Sequence, residues 1–182
     1  MFRLESEDQL QAIFDEELRR LQTDHIDVYL LHALNAGSIE KIKRLHVLEF
    51  LDRLKAEGKI KYACFSFHDN LKTFKELVDM YPFDMCQIQM NILDVNNQAT
   101  LEGMRYAAQK GMAVVIMEPL RGGTLASVPT EVRALYDAMT VQRTPAEWAF
   151  RFLYHFPEVS VILSGVSTME QFEASWFADA IE

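Results

Sequence analysis

The chain has 182 residues, of which 49% are apolar, so it is long enough to bury the core of one globular domain spanning residues 1–182. Asp and Glu total 27 against 18 Lys and Arg, and the net charge of −9 argues against nucleic acid or an anionic membrane as a partner, because both need a basic face. No apolar run approaches the ~20 residues that span a bilayer, and the acidic N-terminus is unlike a signal peptide.

The first part of the chain alternates between helical and strand-like patterns. A capping box formed by Ser6 and Gln9 predicts a helix that continues to Leu21. Short runs rich in β-branched and aromatic residues predict buried strands, and amphipathic segments that end near Gly or Pro predict helices. The predicted strands are 26–31, 60–67 and 85–92, and the predicted helices are 47–57, 71–81 and 100–110. The segment from Asn35 to Arg44 is predicted to be a polar loop.

The second part continues the same alternation. Strands are predicted at 112–117 and 159–163, and helices at 130–139, 145–155 and 168–177. Five apolar strands separated by helices indicate an α/β protein with a parallel sheet. Periodicity leaves open whether that sheet is doubly wound or part of a barrel, but ligands bind at the carboxyl ends of the strands in both. Five strands are fewer than the eight of a closed (β/α)₈ barrel, so a barrel of this kind would be incomplete.

The cysteines and histidines of the chain give no indication of a metal site. Cys64 and Cys86 lie inside apolar strand-like runs, where reduced, buried thiols are expected, and this favours a reducing, cytoplasmic location. His25, His46 and His155 share no metal-like spacing with each other or with the cysteines, so we predict no metal within this chain.

Five segments, in chain order, resemble motifs of the aldo-keto reductase family. They are DHIDVYLLHAL, LKAEGKIKYACFSFH, FDMCQIQMNILD, GMAVVIMEPLRGG and VILSGVSTMEQFE, which begin at residues 24, 54, 83, 111 and 161. The resemblance implies a parallel (β/α)₈ TIM-barrel type fold, with this chain corresponding to strands 4 to 8 of the barrel and the N-terminal part missing. Within the family, the chain is most similar to a bacterial and archaeal branch that often carries a C-terminal ferredoxin-like segment, which implies a possible iron–sulfur cluster outside this chain.

The resemblance implies a reductase of aldehydes and ketones that takes a hydride from NADP(H) or NAD(H) without a metal. His32 matches the histidine of the family's catalytic tetrad, and its imidazole could donate a hydrogen bond that orients the substrate carbonyl. The Asp, Tyr and Lys of the tetrad come from earlier strands of the family barrel. We therefore expect the chain to be part of an NAD(P)H-dependent oxidoreductase and to be inactive by itself.

The cofactor-binding positions implied by the resemblance fall in three groups along the sequence. Ser66, Gln87 and Met117 match residues around the nicotinamide, although Phe67 replaces a family Asn. The loop over the pyrophosphate supplies Glu118, Leu120, Arg121 and Gly123, and the adenosine end supplies Gly165, Ser167 and Gln171. The family's Lys, Arg and Glu-Asn pair of the adenosine end are not matched, so the choice between NADPH and NADH stays open.

Two further residues are candidates for contact with a small-molecule carbonyl substrate, each with a structural alternative. His68 could bind substrate or cofactor, or could cap the following helix, and Asn91 could face the pocket or stabilise a turn. A second function is also open, namely a binding or interaction module that retains the fold without catalysis and self-associates through an exposed strand edge. A third, an unrelated hydrolase, has no support because the sequence contains no G-x-S-x-G, paired-carboxylate or metal-ligand signature.

Overall fold

Five parallel strands form a sheet whose spatial order follows the order of the chain. A computed structural model describes residues 4–177, and within them the strands are β1 Ile26–Leu34, β2 Ile60–Phe67, β3 Met85–Gln89, β4 Ala113–Met117 and β5 Val159–Ile162. The order is β1-β2-β3-β4-β5, and every neighbouring pair is parallel. A doubly wound sheet reverses its strand order at a switch point, whereas consecutive order is that of a barrel wall. The fold is therefore an incomplete (β/α)₈ barrel.

Helices precede β1 and connect all the strands. They are α1 Asp8–Leu21, α2 Ala36–Arg44, α3 Val47–Ala56, α4 Leu71–Met80, α5 Thr100–Gln109, α6 Thr130–Asp137, α7 Pro145–Tyr154 and α8 Met169–Phe177. The described part of the chain contains no helix with the length and apolarity needed to cross a bilayer.

The prediction of a polar loop from Asn35 to Arg44 is wrong, because this segment contains helix α2. Ser38 Oγ accepts a hydrogen bond from the Asn35 N–H at 3.2 Å, as in a capping box. Ile39 and Ile42 lie three residues apart and are both buried, so this helix packs through a narrow apolar stripe. Because the rest of the segment is mostly polar, two isoleucines gave too weak a helical pattern for the helix to be predicted from the sequence.

Several element boundaries also differ from the prediction, among them the end of β1, which continues to Leu34 instead of ending at residue 31. Helix α1 begins at Asp8, and the amide oxygen of Gln9 accepts from the Glu5 N–H at 2.7 Å instead of pairing with Ser6. Strand β3 ends at Gln89, three residues before the predicted end at 92, because a side-chain-stabilised turn begins at Asn91.

The two faces of the sheet have different environments. One face packs against the helices, and its central row of register partners, Leu31, Phe65, Cys86 and Val114, is buried. The other face, which would line the inside of a complete barrel, is called the open face here. It carries the register partners Leu30, Cys64, Met85 and Ala113, and its exposed apolar side chains are Val28, Tyr62, Val161 and Leu163. The open face therefore leaves apolar surface in contact with solvent.

Candidate active site

Three residues predicted to contact a nicotinamide lie together near the carboxyl end of the open face. Ser66 on β2 is in register with Gln87 on β3, and Gln89 is in register with Met117 on β4. Side chains two residues apart on a strand share a face, so Gln87 and Gln89 both lie on the open face. The Gln87 amide nitrogen is 3.5 Å from the Met117 sulfur. The structure therefore brings Ser66, Gln87 and Met117 into one row of neighbours.

His32 lies at the carboxyl end of β1, inside a β-bulge. The register of β1 with β2 shifts between Leu31 and Leu34, so His32 and Ala33 together stand opposite Ser66. Ala33 has a left-handed backbone with φ 53°, and its N–H donates to Ser66 Oγ at 2.8 Å. His32 is exposed, and no residue from 4 to 173 forms a hydrogen bond or ion pair with its ring. Its imidazole is thus available to a ligand at the strand end.

A cavity of about 700 Å³ lies between the loop that follows β4 and the loop that follows β5. Five residues predicted to bind a cofactor line it: Glu118, Leu120, Gly123, Gly165 and Gln171. A volume of this size is typical of small-molecule sites. Ser167 is not in the lining, but its N–H and hydroxyl both donate to Gln171 Oε1, at 2.8 and 3.1 Å. The two loops named from the sequence therefore meet around one cavity.

The Arg121 side chain does not line this cavity. Its Nε lies 3.4 Å from Asp94 Oδ2, in the loop that follows β3. The same carboxylate oxygen accepts from Gln89 at 3.2 Å and from Asn91 at 2.9 Å. Asp94 thus connects β3, the loop that follows β3 and the loop that follows β4 at the edge of the site, and the sequence analysis did not predict this role. The spacing of Asn91 and Asp94, three residues apart after a strand, is the signal that could have indicated this turn.

Asn91 is fully buried, and its amide is used within the protein. The side-chain oxygen accepts from the N–H groups of Leu93 and Asp94 at 3.0 and 3.1 Å. The side-chain nitrogen donates to Asp94 and, at 3.3 Å, to the carbonyl of Glu118. This geometry corresponds to the turn-stabilising role and argues against the predicted contact between Asn91 and substrate.

His68 is exposed just after β2, at the same end of the sheet as His32. Its backbone N–H donates to the Leu34 carbonyl at 3.0 Å, which resumes the pairing beyond the bulge. Asn70 caps helix α4, because its side-chain oxygen accepts from the Thr73 N–H at 3.1 Å. The capping role considered for His68 is therefore filled by Asn70, and contact between His68 and substrate stays a prediction.

Asp69 connects the loops that follow β1 and β2. Its carboxylate accepts hydrogen bonds from the N–H groups of Ala36 and Asn70, each at 2.7 Å. These two donors stabilise the charged form and hold the pKa of Asp69 below its ordinary value. Asp69 thereby fixes the first turn of α2 next to the end of β2, beside the His32 bulge.

The two thiols are free and buried in the sheet. Burial in apolar surroundings raises the pKa of Cys64 and of Cys86 to about 12, with the nearby carboxylate of Asp84 adding to the effect at Cys64. The raised pKa disfavours the thiolate form of both residues at neutral pH. Among the described residues, no group of three or more His, Cys, Asp or Glu side chains is arranged to hold a metal ion.

The sequence model of the aldo/keto reductase family matches residues 3–181 of this chain. L-galactose dehydrogenase of Arabidopsis thaliana is 24% identical over 183 aligned residues, which cover 92% of this chain and 57% of that protein. The holo form of an aldo-keto reductase from Bacillus halodurans superposes with a TM-score of 0.80 at 24% identity, covering 97% of this chain and 61% of that one.

A thermostable aldo-keto reductase in complex with the inhibitor epalrestat gives a TM-score of 0.77 at 22% identity, and the match covers 97% of this chain and 62% of that one. At this identity the solved structures show the fold, and this chain spans about three fifths of the length of the relatives it matches. The match of the family model over nearly the whole sequence identifies the chain as a member of the aldo/keto reductase family.

Proposed function

We propose that residues 1–182 act as one partial-barrel unit of a nicotinamide-dependent carbonyl reductase. The observation that carries the proposal is a continuous arrangement at the carboxyl ends of the strands. The exposed ring of His32, the row formed by Ser66, Gln87 and Met117, and the cavity of about 700 Å³ follow one another along this edge from β1 to β5.

The chemistry of these residues is suited to binding and orientation. The exposed His32 ring can donate a hydrogen bond to a carbonyl oxygen and fix its direction. Ser66 and Gln87 offer a hydroxyl and an amide for a planar carboxamide, and Met117 offers a polarizable apolar surface for a ring. The nicotinamide group supplies the hydride when bound. Because the resemblance assigns the proton-donating tyrosine to an earlier strand of the family barrel, we expect residues 1–182 alone to oxidise NADH only at background rate.

The cavity fits an extended nucleotide. The backbone is left-handed at Gly122 and Gly123, with φ 64° and 91°, and a Cβ added at either position or at Gly165 would meet no atom within 4 Å. A ligand can therefore approach this backbone closely. The N-terminus of helix α8 lies at the same cavity, where the positive end of the helix dipole favours an anionic group such as a phosphate.

The charge of the lining bears on the choice between the two nucleotides. Glu118 and Glu170 line the cavity, and none of its lining residues is Lys or Arg. The sequence contains no Lys or Arg after Arg151. A 2′-phosphate would therefore find no cation here, and we expect NADH to bind at least as tightly as NADPH.

Calorimetric titration of the 182-residue chain with NADH, and separately with NADPH, tests the proposal. Ala146 lines the cavity, and Ala146→Phe should raise the Kd for NADH about tenfold by reducing the space for the ligand. Ala134 is exposed on α6 and outside the cavity, so Ala134→Phe is a matched control that should leave Kd unchanged. A folded chain that binds neither nucleotide would contradict the proposal, and equal effects of the two substitutions would place the site elsewhere.

A second candidate function, a non-enzymatic interaction module, is favoured by the open face. Val28, Tyr62 and Val161 are each at least 40% exposed there, and exposed apolar patches of this kind promote association. Sedimentation of the chain should show self-association that Val161→Ser weakens. Leu135, which is 69% exposed on α6, provides the control Leu135→Ser. Specific oligomers without nucleotide binding would favour this candidate over the reductase, whereas a stable monomer would remove its support.

A further inference from the structure

The bulge at the end of β1 leaves a backbone amide without a partner in the ladder. Because His32 and Ala33 stand opposite one residue of β2, the Ala33 N–H cannot continue the regular pairing. Ser66 Oγ accepts this hydrogen bond at 2.8 Å, and the Ser66 side chain is buried. The Ser66 hydroxyl on β2 thus replaces the missing backbone acceptor.

The conformation that this bond holds is an unfavourable one. Ala33 has φ 53°, a left-handed value at which a residue with a Cβ is disfavoured unless its surroundings hold it there. The pairing resumes immediately afterwards, where the His68 N–H donates to the Leu34 carbonyl. His32 directly precedes Ala33, so the direction of its side chain depends on a strained backbone that two hydrogen bonds hold in place, one at Ala33 and one at Leu34.

We infer that Ser66 is a positioning residue for His32. This inference rests on the proposed function, in which the His32 ring meets the substrate carbonyl. The Ser66 hydroxyl accepts from Ala33 and keeps its own hydrogen for a donor bond on the open face, next to its register partner Gln87. Ser66 therefore links the nicotinamide side of the site to the bulge that aims the imidazole.

The test uses NMR of the full chain without any nucleotide. Ser66→Ala should speed hydrogen exchange of the Ala33 amide roughly tenfold, because one hydrogen bond is lost, and should also shift the ring resonances of His32. Ser66→Thr retains the hydroxyl and should restore both. Ser66→Cys keeps the volume with a weaker acceptor and should be intermediate, which keeps the test informative if the alanine variant fails to fold.

Ser160 supplies a matched control, because its Oγ accepts from the Val114 N–H at 3.2 Å in another pair of strands. Ser160→Ala should speed exchange at Val114 and leave the His32 resonances in place. If Ser66→Ala exposes the Ala33 amide while the His32 ring resonances stay unchanged, Ser66 only satisfies a buried amide and the inference is overturned. Titration of the unsubstituted chain and of Ser160→Ala with NADH separates this result from a failure of the proposed function, because neither sample alters the Ser66 hydroxyl.

Discussion

Removal of the Asn91 side chain should destabilise the chain strongly, because this buried amide joins two loops of the site. Asn91→Ala eliminates hydrogen bonds to the N–H groups of Leu93 and Asp94, to the Asp94 carboxylate and to the Glu118 carbonyl. Four such bonds at about 1 kcal/mol each give an upper limit of about 4 kcal/mol for the loss in free energy of unfolding. Leu93 is 60% exposed, so water can replace part of that loss. We expect the free energy of unfolding to fall by about 3 kcal/mol.

Urea unfolding followed by circular dichroism measures this loss, with Asn97→Ala as the control. Asn97 lies in the same loop, but it is exposed, and its side chain accepts only a bond from the next residue at 3.0 Å. The control should cost less than about 1 kcal/mol, as is usual for exposed positions. A loss below about 1 kcal/mol for Asn91→Ala would refute the structural role and return Asn91 to the candidates for contact with substrate.

Three further predictions concern charge and reactivity. Arg121→Gln should change stability by less than about 1 kcal/mol, since the Arg121 side chain is 51% exposed in its pair with Asp94. The predicted contact with the pyrophosphate requires this side chain to leave Asp94 and turn to the neighbouring cavity, and Arg121→Gln should then weaken NADH binding about fivefold. Arg105→Gln, at another half-exposed paired arginine, should leave NADH binding unchanged, and an unchanged Kd for Arg121→Gln would remove Arg121 from the site. The carboxylate of Asp69 has a lowered pKa, so its contribution to stability is fully present above the ordinary pKa of 3.8 and is lost as the pH falls through the lowered pKa. In Asp69→Asn, the free energy of unfolding by urea should therefore depend less on pH in the acid range. An unchanged pH dependence would count against the two hydrogen bonds assigned to this carboxylate. Cys64 and Cys86, with pKa values raised to about 12, should resist a thiol reagent at neutral pH and react together in denaturant; rapid labelling of the folded chain would contradict their burial.

The alternation of strands and helices was readable from the sequence because a strand buried on both faces is a short apolar run and a surface helix shows a 3.6-residue period. Helix α2 was not predicted, because only Ile39 and Ile42 form its buried apolar stripe and the rest of the segment is mostly polar. Local pattern also fails where long-range packing sets the boundary. Strand β3 ends at Gln89 because the amide of Asn91 forms a turn against the loop after β4.

By itself, the sequence determined the five strands, the helices around most of them and the clustering of the candidate site residues at the carboxyl ends of the strands. Periodicity could not give the consecutive strand order, because it reports how a segment is buried and carries no information about which strands are neighbours; the family resemblance implied that order and the tertiary structure confirmed it. Only the tertiary structure decided the direction of individual side chains. Arg121 pairs with Asp94 instead of lining the cavity, and Ser66 binds the amide of Ala33, because these partners lie 27 and 33 residues apart in the chain and meet only when the strands are paired.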